Sequence, residues 1–295
     1  MLANDIQRFR TIQRLLDRLD PDGQPQASIL PGSPNPQGAI VVFPGSFNPP
    51  TNAHLAMLHE AQRFEQLHGT GLVYAAVSKR TTDKENVDRP LLVDRLALLE
   101  TLLQHYTPGA GIILFNRGLY VEQAQAVRDT FPGITQLYFL LGFDKIVQIF
   151  DAHYYTDRDA ALLELFSLAE ILVAPRGKDG ARDLQELLEK PENRRFAGYM
   201  HLLPLSTSYR TISSTHIRQD FAAHQHDVPP EVAVFIRETG AYQLPVELPD
   251  GTRKDVYEER IDAINGFLYG DDTHGDRKGC HCDDAPPQAD TSTLS

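Results

Sequence analysis

The sequence predicts an α/β protein built on a doubly wound parallel sheet, and three observations carry that prediction. Short, nearly continuous apolar runs recur near 39–43, 72–77, 111–115, 135–141, 169–174 and 200–204. Between them lie stretches whose apolar residues recur at helical spacing. No internal repeat breaks the alternation. Strands that are apolar throughout, each followed by a helix, indicate a parallel sheet covered on both faces.

The elements follow in order. Leu2, Ile6, Phe9, Ile12, Leu16 and Leu19 fall at helical spacing, so an amphipathic helix is expected over 2–19. Residues 20–37 are rich in Pro, Gly, Ser and Gln and read as a linker. The alternating body then spans 38–244, with helices expected near 54–67, 91–105, 120–130, 159–166, 181–189, 214–224 and 230–238. After Tyr242 the periodicity fades. One short helix over 255–269 precedes a Gly/Asp/Pro/Ser stretch, so 245–295 is expected to be an acidic, mostly disordered tail. The helix at 2–19 can pack on the body or form an oligomer contact; the sequence leaves both open.

Of 295 residues, 28 are Lys or Arg and 40 are Asp or Glu, for a formal net charge of −12. Residues 245–295 hold 12 acids and 5 bases, so the tail carries more than half of that excess. Neither part has the basic stripe with which nucleic-acid binders displace counterions from phosphate. No apolar run approaches the roughly 18 residues of a membrane span. The N-terminal MLANDIQRFR turns polar at once, and no secretory signal is read there. The two cysteines, Cys280 and Cys282, lie in the tail, which fits a reducing, cytoplasmic setting. With His274 and His281 they match no zinc-ligand spacing, and an exposed tail is the expected account.

A fold of this class binds ligands at the carboxyl ends of its strands. The first strand–helix junction reads VVFPGSFNPPTNAHLAML, residues 41–58. Gly45 and Ser46 follow the strand, where small residues let backbone N–H groups approach a phosphate. Asn48-Pro49-Pro50 stiffens the loop. Thr51 and His54 lie three apart across a helix start, so both can face one anion beside the helix's partial positive charge. Neither G-x-G-x-x-G nor G-x-x-x-x-G-K-[ST] is present. A second junction, ISSTHIR at 212–218, offers the hydroxyls of Ser213, Ser214 and Thr215 at a helix start, with Arg218 about one turn further on.

GSFNPPTNAH resembles the GxFxPx(H/T)xxH signature of the nucleotidylyltransferases, and its GSFNP start is most similar to the nicotinamide/nicotinate mononucleotide adenylyltransferases. ISSTHIR resembles the ISSTxIR motif of the same enzymes. The two occur in the family's order, about 160 residues apart, and the resemblance covers roughly 38–242. It implies a Rossmann-like fold and catalysis by His54 with Thr51. It implies ATP contacts from Gly45, Ser46, Phe47, His54, Lys79 (with Arg80 as the alternative), Ser213, Ser214, Thr215, His216, Ile217 and Arg218. For the mononucleotide it implies Ser46, Phe47, Asn48, Gly142, Asp144, Tyr154, Tyr155 and Arg176. Tyr120 is a further candidate beside the pyridine ring.

The implied reaction joins the AMP moiety of ATP to nicotinamide or nicotinate mononucleotide, with Mg²⁺ carried by the triphosphate rather than by a carboxylate cage. Another phosphate acceptor, such as pantetheine phosphate, stays open. So does an ATP-binding or ATP-hydrolysing regulator of the same fold.

Overall fold

The computed structural model describes residues 3–68, 72–79, 89–175 and 180–269. The chain opens with α1 (Ala3–Arg18) and a three-residue strand β1 (Ala27–Ile29). The body runs β2 (Gly38–Pro44), α2 (Asn52–His68), β3 (Leu72–Ser78), α3 (Leu92–Tyr106), β4 (Gly111–Phe115) and α4 (Tyr120–Thr130). It continues through β5 (Ile134–Gly142), α5 (Phe143–Phe150), α6 (Arg158–Leu168), β6 (Glu170–Ala174), α7 (Gly180–Glu189) and β7 (Met200–Leu202). Three further helices follow: α8 (Ser214–Gln219), α9 (Phe221–His224) and α10 (Pro230–Thr239). A small hairpin, β8 (Val246–Glu247) and β9 (Arg253–Lys254), leads into α11 (Val256–Tyr269).

Seven strands form one sheet in the order β1-β4-β3-β2-β5-β6-β7, parallel throughout except for β1. The period of two along each strand divides the core. Val41, Phe43, Val73, Ala75 and Val77 face α1, α2 and α3. Their neighbours Ile40, Val42, Tyr74 and Ala76 face the layer built from α4 to α7. From β2 the chain steps one way to β3 and β4, and from β5 the other way to β6 and β7. The connections leaving the β2 and β5 carboxyl ends therefore run in opposite directions and leave a crevice, where doubly wound sheets bind ligands.

Four points differ from expectation. The segment 20–37 is not a linker: β1 adds antiparallel to β4, and Leu30 is fully buried. Asn116 holds it by donating to the Asp20 and Gln24 carbonyls while accepting from the Gln26 N–H. A three-residue strand between Pro and Gly carries too little pattern to be seen, and its pairing partner is distant in sequence. The helix expected over 214–224 is two helices, because Asp220 leaves helical geometry and caps α9 by accepting from the Ala223 N–H. Helix α5 was not expected; its eight residues directly continue β5. The helix expected at 255–269 is present as α11, docked through buried Tyr257 and Ile264 rather than standing apart. Residues 270–295, with His274, Cys280, His281 and Cys282, lie outside the described residues, as does Arg80. Among the described residues no helix is long and apolar enough to cross a membrane.

Candidate active site

The crevice at the β2 and β5 ends holds a cleft of about 320 Å³, bounded by the β2–α2 loop, the start of α5, the end of β6 and residues 205–218. Its first wall is the loop. Gly45 donates to the Ala76 carbonyl at 2.9 Å, fastening the loop to β3. A Cβ at Gly45 would meet the Phe47 ring at 3.0 Å, so any larger residue there would press on that ring. Phe47 has φ +46° and is buried, its ring edge-on to Phe43 at 5.4 Å and tilted against His54 at 5.1 Å. A bulky residue at positive φ costs about 1–3 kcal/mol, and such strain persists only where packing over-determines it.

Thr51 caps α2: its Oγ1 accepts from the His54 N–H at 3.3 Å. The Thr51 backbone N–H points at His54 Nδ1, 3.0 Å away. A backbone N–H only donates, so Nδ1 is the acceptor and the ring proton sits on Nε2. Thr51 Oγ1, 2.9 Å from the same nitrogen, reinforces that tautomer. His54 is thereby a neutral donor lining the cleft, flanked by Phe43 and Phe47. Thr51 is buried and acts by orienting His54.

The second motif closes on the first. Ser214 Oγ donates to the Pro49 carbonyl at 2.9 Å, and Arg218 Nη1 donates to the Asn48 carbonyl at 2.6 Å. Arg218 Nη2 also reaches Thr215 Oγ1 at 3.2 Å. Ser213, Ser214, Thr215 and Arg218 line the cleft, opposite Gly142 and Asp144 from the β5–α5 junction. Ile217 is the buried anchor of this short helix, packed with Leu102 and Val232, and His216 lies 5.7 Å from the His224 ring.

Several expected contacts are placed elsewhere. Lys79 continues the β3 alternation onto the α1 side, where Nζ donates to the Leu16 and Leu19 carbonyls at 2.7 and 2.8 Å. It caps the C-terminal end of α1 and is not part of the cleft wall. Asn48 is buried beneath the loop: Nδ2 donates to the Arg89 carbonyl, and Oδ1 accepts from Tyr242 at 2.5 Å. Tyr155 donates to the Ile149 carbonyl at 2.8 Å, tying down the turn after α5. Tyr154 is exposed, and neither tyrosine lines the cleft. Tyr120 packs on Phe139 in the core, 5.9 Å between centroids. Arg176 lies outside the described residues.

Sequence reasoning missed Lys145 and Arg210, which both line the cleft. Lys145 follows Asp144 in the first turn of α5. Arg210, three residues before Ser213, is held by an Nε bond to the Leu205 carbonyl. The available signal was position: both are cations beside a motif already identified. With Arg218 they give the cleft, among the described residues, three basic side chains against one carboxylate, Asp144, in a chain of net charge −12. Arg95 was missed as well. Its Nη1 donates to the Ser46 carbonyl at 2.9 Å, and burial lowers its pKa from an ordinary arginine value.

A tautomerically fixed donor, a strained loop and local positive charge at a strand-order reversal suit the binding of a polyphosphate. Comparison with known proteins agrees in kind. The cytidylyltransferase-like family model matches residues 42–220, from β2 to the end of α8. A Schizosaccharomyces pombe protein named "Putative nicotinamide mononucleotide adenylyltransferase" is 27% identical over 202 residues, 64% of this chain and 70% of that one. Among solved structures, "a Putative Nicotinate-nucleotide Adenylyltransferase from Vibrio parahaemolyticus" aligns with a TM-score of 0.39 and 12% identity, over 68% of this chain and 99% of that chain. Thermotoga maritima TmcAL bound with alpha-thio ATP aligns with a TM-score of 0.37 and 16% identity, over 70% and 56%. The family match spans both cleft-forming motifs and the sheet between them, and the chain belongs to the cytidylyltransferase-like family.

Proposed function

We propose that this nucleotidyltransferase-type enzyme transfers the adenylyl group of ATP to nicotinamide or nicotinate mononucleotide. The observation that carries the reading is His54, held as an Nε2–H donor by the Thr51 N–H at the mouth of the crevice. The mononucleotide 5′-phosphate oxygen attacks the α-phosphorus in line. The bond from that phosphorus to the α,β-bridging oxygen breaks, and pyrophosphate leaves with the electron pair. A phosphate monoester is already nucleophilic at neutral pH, so catalysis is positioning and charge stabilisation. His54 donates to the α-phosphate oxygen as charge builds on it, while Arg218, Lys145 and Arg210 hold the departing pyrophosphate.

Among the described residues, the donor set does not suit a resident metal. The cleft wall offers one carboxylate, Asp144, and no group of three or more His, Cys, Asp or Glu is placed for a metal among the described residues. Mg²⁺ is therefore assigned to the substrate, on the triphosphate oxygens. The S. pombe relative's name supports a pyridine mononucleotide as acceptor.

The test incubates purified protein with ATP, Mg²⁺ and either mononucleotide, and separates dinucleotide and pyrophosphate by chromatography. Equal amounts of the two products are expected, and the rate ratio identifies the preferred acceptor. Saturable ATP binding without dinucleotide from either acceptor would overturn the reading.

A further inference from the structure

The β2–α2 loop is held from below by a part of the chain that the family match does not include. Helix α10 ends at Gly240 in the left-handed conformation, φ +63°, which turns the chain back under the loop. Two residues later Tyr242 donates to Asn48 Oδ1. Burial raises the Tyr242 pKa far above the ordinary tyrosine value, so its hydroxyl keeps the donating proton. A second route runs through Asp255. It caps α11 by accepting from the Tyr257 and Glu258 N–H groups, and it pairs with the Arg89 guanidinium through two bonds. The Arg89 carbonyl receives Asn48 Nδ2.

A third route fixes the start of α3. Tyr257 accepts from the Leu91 N–H at 2.7 Å and donates to Asp94 at 2.7 Å, and Arg260 grips the same carboxylate at 2.6 and 3.0 Å. One residue after Asp94, Arg95 donates to the Ser46 carbonyl. Three routes from residues 240–260, the second and third joined at Tyr257, thus end on Ser46 and Asn48, either side of the strained Phe47. A loop held at positive φ needs such over-determination, and nothing in residues 42–220 supplies Tyr242, Asp255, Tyr257 or Arg260.

We propose that the segment from Gly240 to Arg260 is a latch that holds the Gly45–Asn48 loop in its ATP-binding geometry, with Tyr242 and Asp255 as positioning residues. ATP affinity is then set partly by residues that touch no substrate. The ATP part of this inference rests on the proposed function; the loop part does not.

The test uses the full chain with Tyr242→Phe, which keeps shape and removes one link, and Asp255→Asn, which keeps shape and weakens the Arg89 pair together with the α11 cap. Val127→Ala in buried α4, on the opposite face of the sheet, serves as a control that lowers stability without touching the loop or residues 240–260. Hydrogen exchange is followed on the peptide spanning 43–58 and on peptides from β5 and β6, and Mg-ATP affinity is measured by calorimetry. Losing one link should raise loop exchange about two- to tenfold, with β5 and β6 unchanged, and weaken ATP binding by a similar factor. Asp255→Glu should restore part of both. Unchanged loop exchange, or a rise shared equally by β5, β6 and the Val127→Ala control, would overturn the latch. If the wild-type chain binds no ATP, a loop-confined rise still establishes the latch and it is the proposed function that falls.

Discussion

The two motifs that meet in the cleft are built in opposite ways. In the β2–α2 loop, Phe47, Asn48 and Thr51 are each at most 2% exposed, and the side chains of Asn48 and Thr51 are committed to neighbours within the protein. In α8, a helix of six residues, only Ile217 is buried, and Thr215 and His216 are exposed. The first motif is a fixed frame whose backbone and one histidine face the cleft. The second brings hydroxyls and a cation to that frame and is fastened to it through Pro49 and Asn48. The difference separates two jobs that a motif string merges. Substitutions in the frame should act on stability or kcat, and substitutions in the applied group on KM.

The largest expected effect breaks the frame. Phe47→Ala removes a buried ring that touches Phe43 and His54, and should cost about 3–5 kcal/mol of stability in urea denaturation. A loss below about 1 kcal/mol would show that the loop is not anchored through the core. Next comes His54→Ala, which leaves the frame standing and removes its donor. A fall in kcat of about 10²–10³ is expected, with little change in melting temperature, because deleting one preorganised donor costs about that much. Near-normal turnover would remove His54 from the mechanism.

The smallest effects come from a pair of cations and sharpen the comparison. Arg218→Ala should raise the KM for ATP about tenfold, as expected for a lost charge-assisted contact, and cost about 1–2 kcal/mol through the lost bond to the Asn48 carbonyl. Lys79→Met should act on stability alone. It should cost about 1 kcal/mol by uncapping α1 while ATP affinity stays as it was. A Lys79 variant that weakens ATP binding at unchanged stability would return that lysine to the cleft.

Much of this was legible in the residues. The alternation of apolar runs and helical stretches placed β2 to β6 within one to two residues, because strand and helix periods are local properties of the chain. The chemistry of the two junctions was legible for the same reason: small residues, stiff prolines and a Thr/His pair three apart each act within one loop. The resemblance added roles, and here the side-chain partners differ from the expectation. Ser214 was expected to offer its hydroxyl to phosphate, and the hydroxyl bonds to Pro49. Asn48 was assigned to the mononucleotide and is spent on Arg89 and Tyr242. Lys145 and Arg210 went unseen because a single cation in a polar stretch looks like any solvated residue.

By itself, then, the sequence determined the layer architecture, the place of the crevice and the two segments that meet there. Only the tertiary structure decided which side chains face the crevice. Lys79 leaves it because α1, some 60 residues earlier, presents two carbonyls on the same side of β3. Asn48 leaves it because its partners lie 41 and 194 residues away. The physical reason is the same in both cases. A buried polar group goes wherever its hydrogen bonds can be satisfied, and that is fixed by the packing of distant segments rather than by its neighbours in the chain.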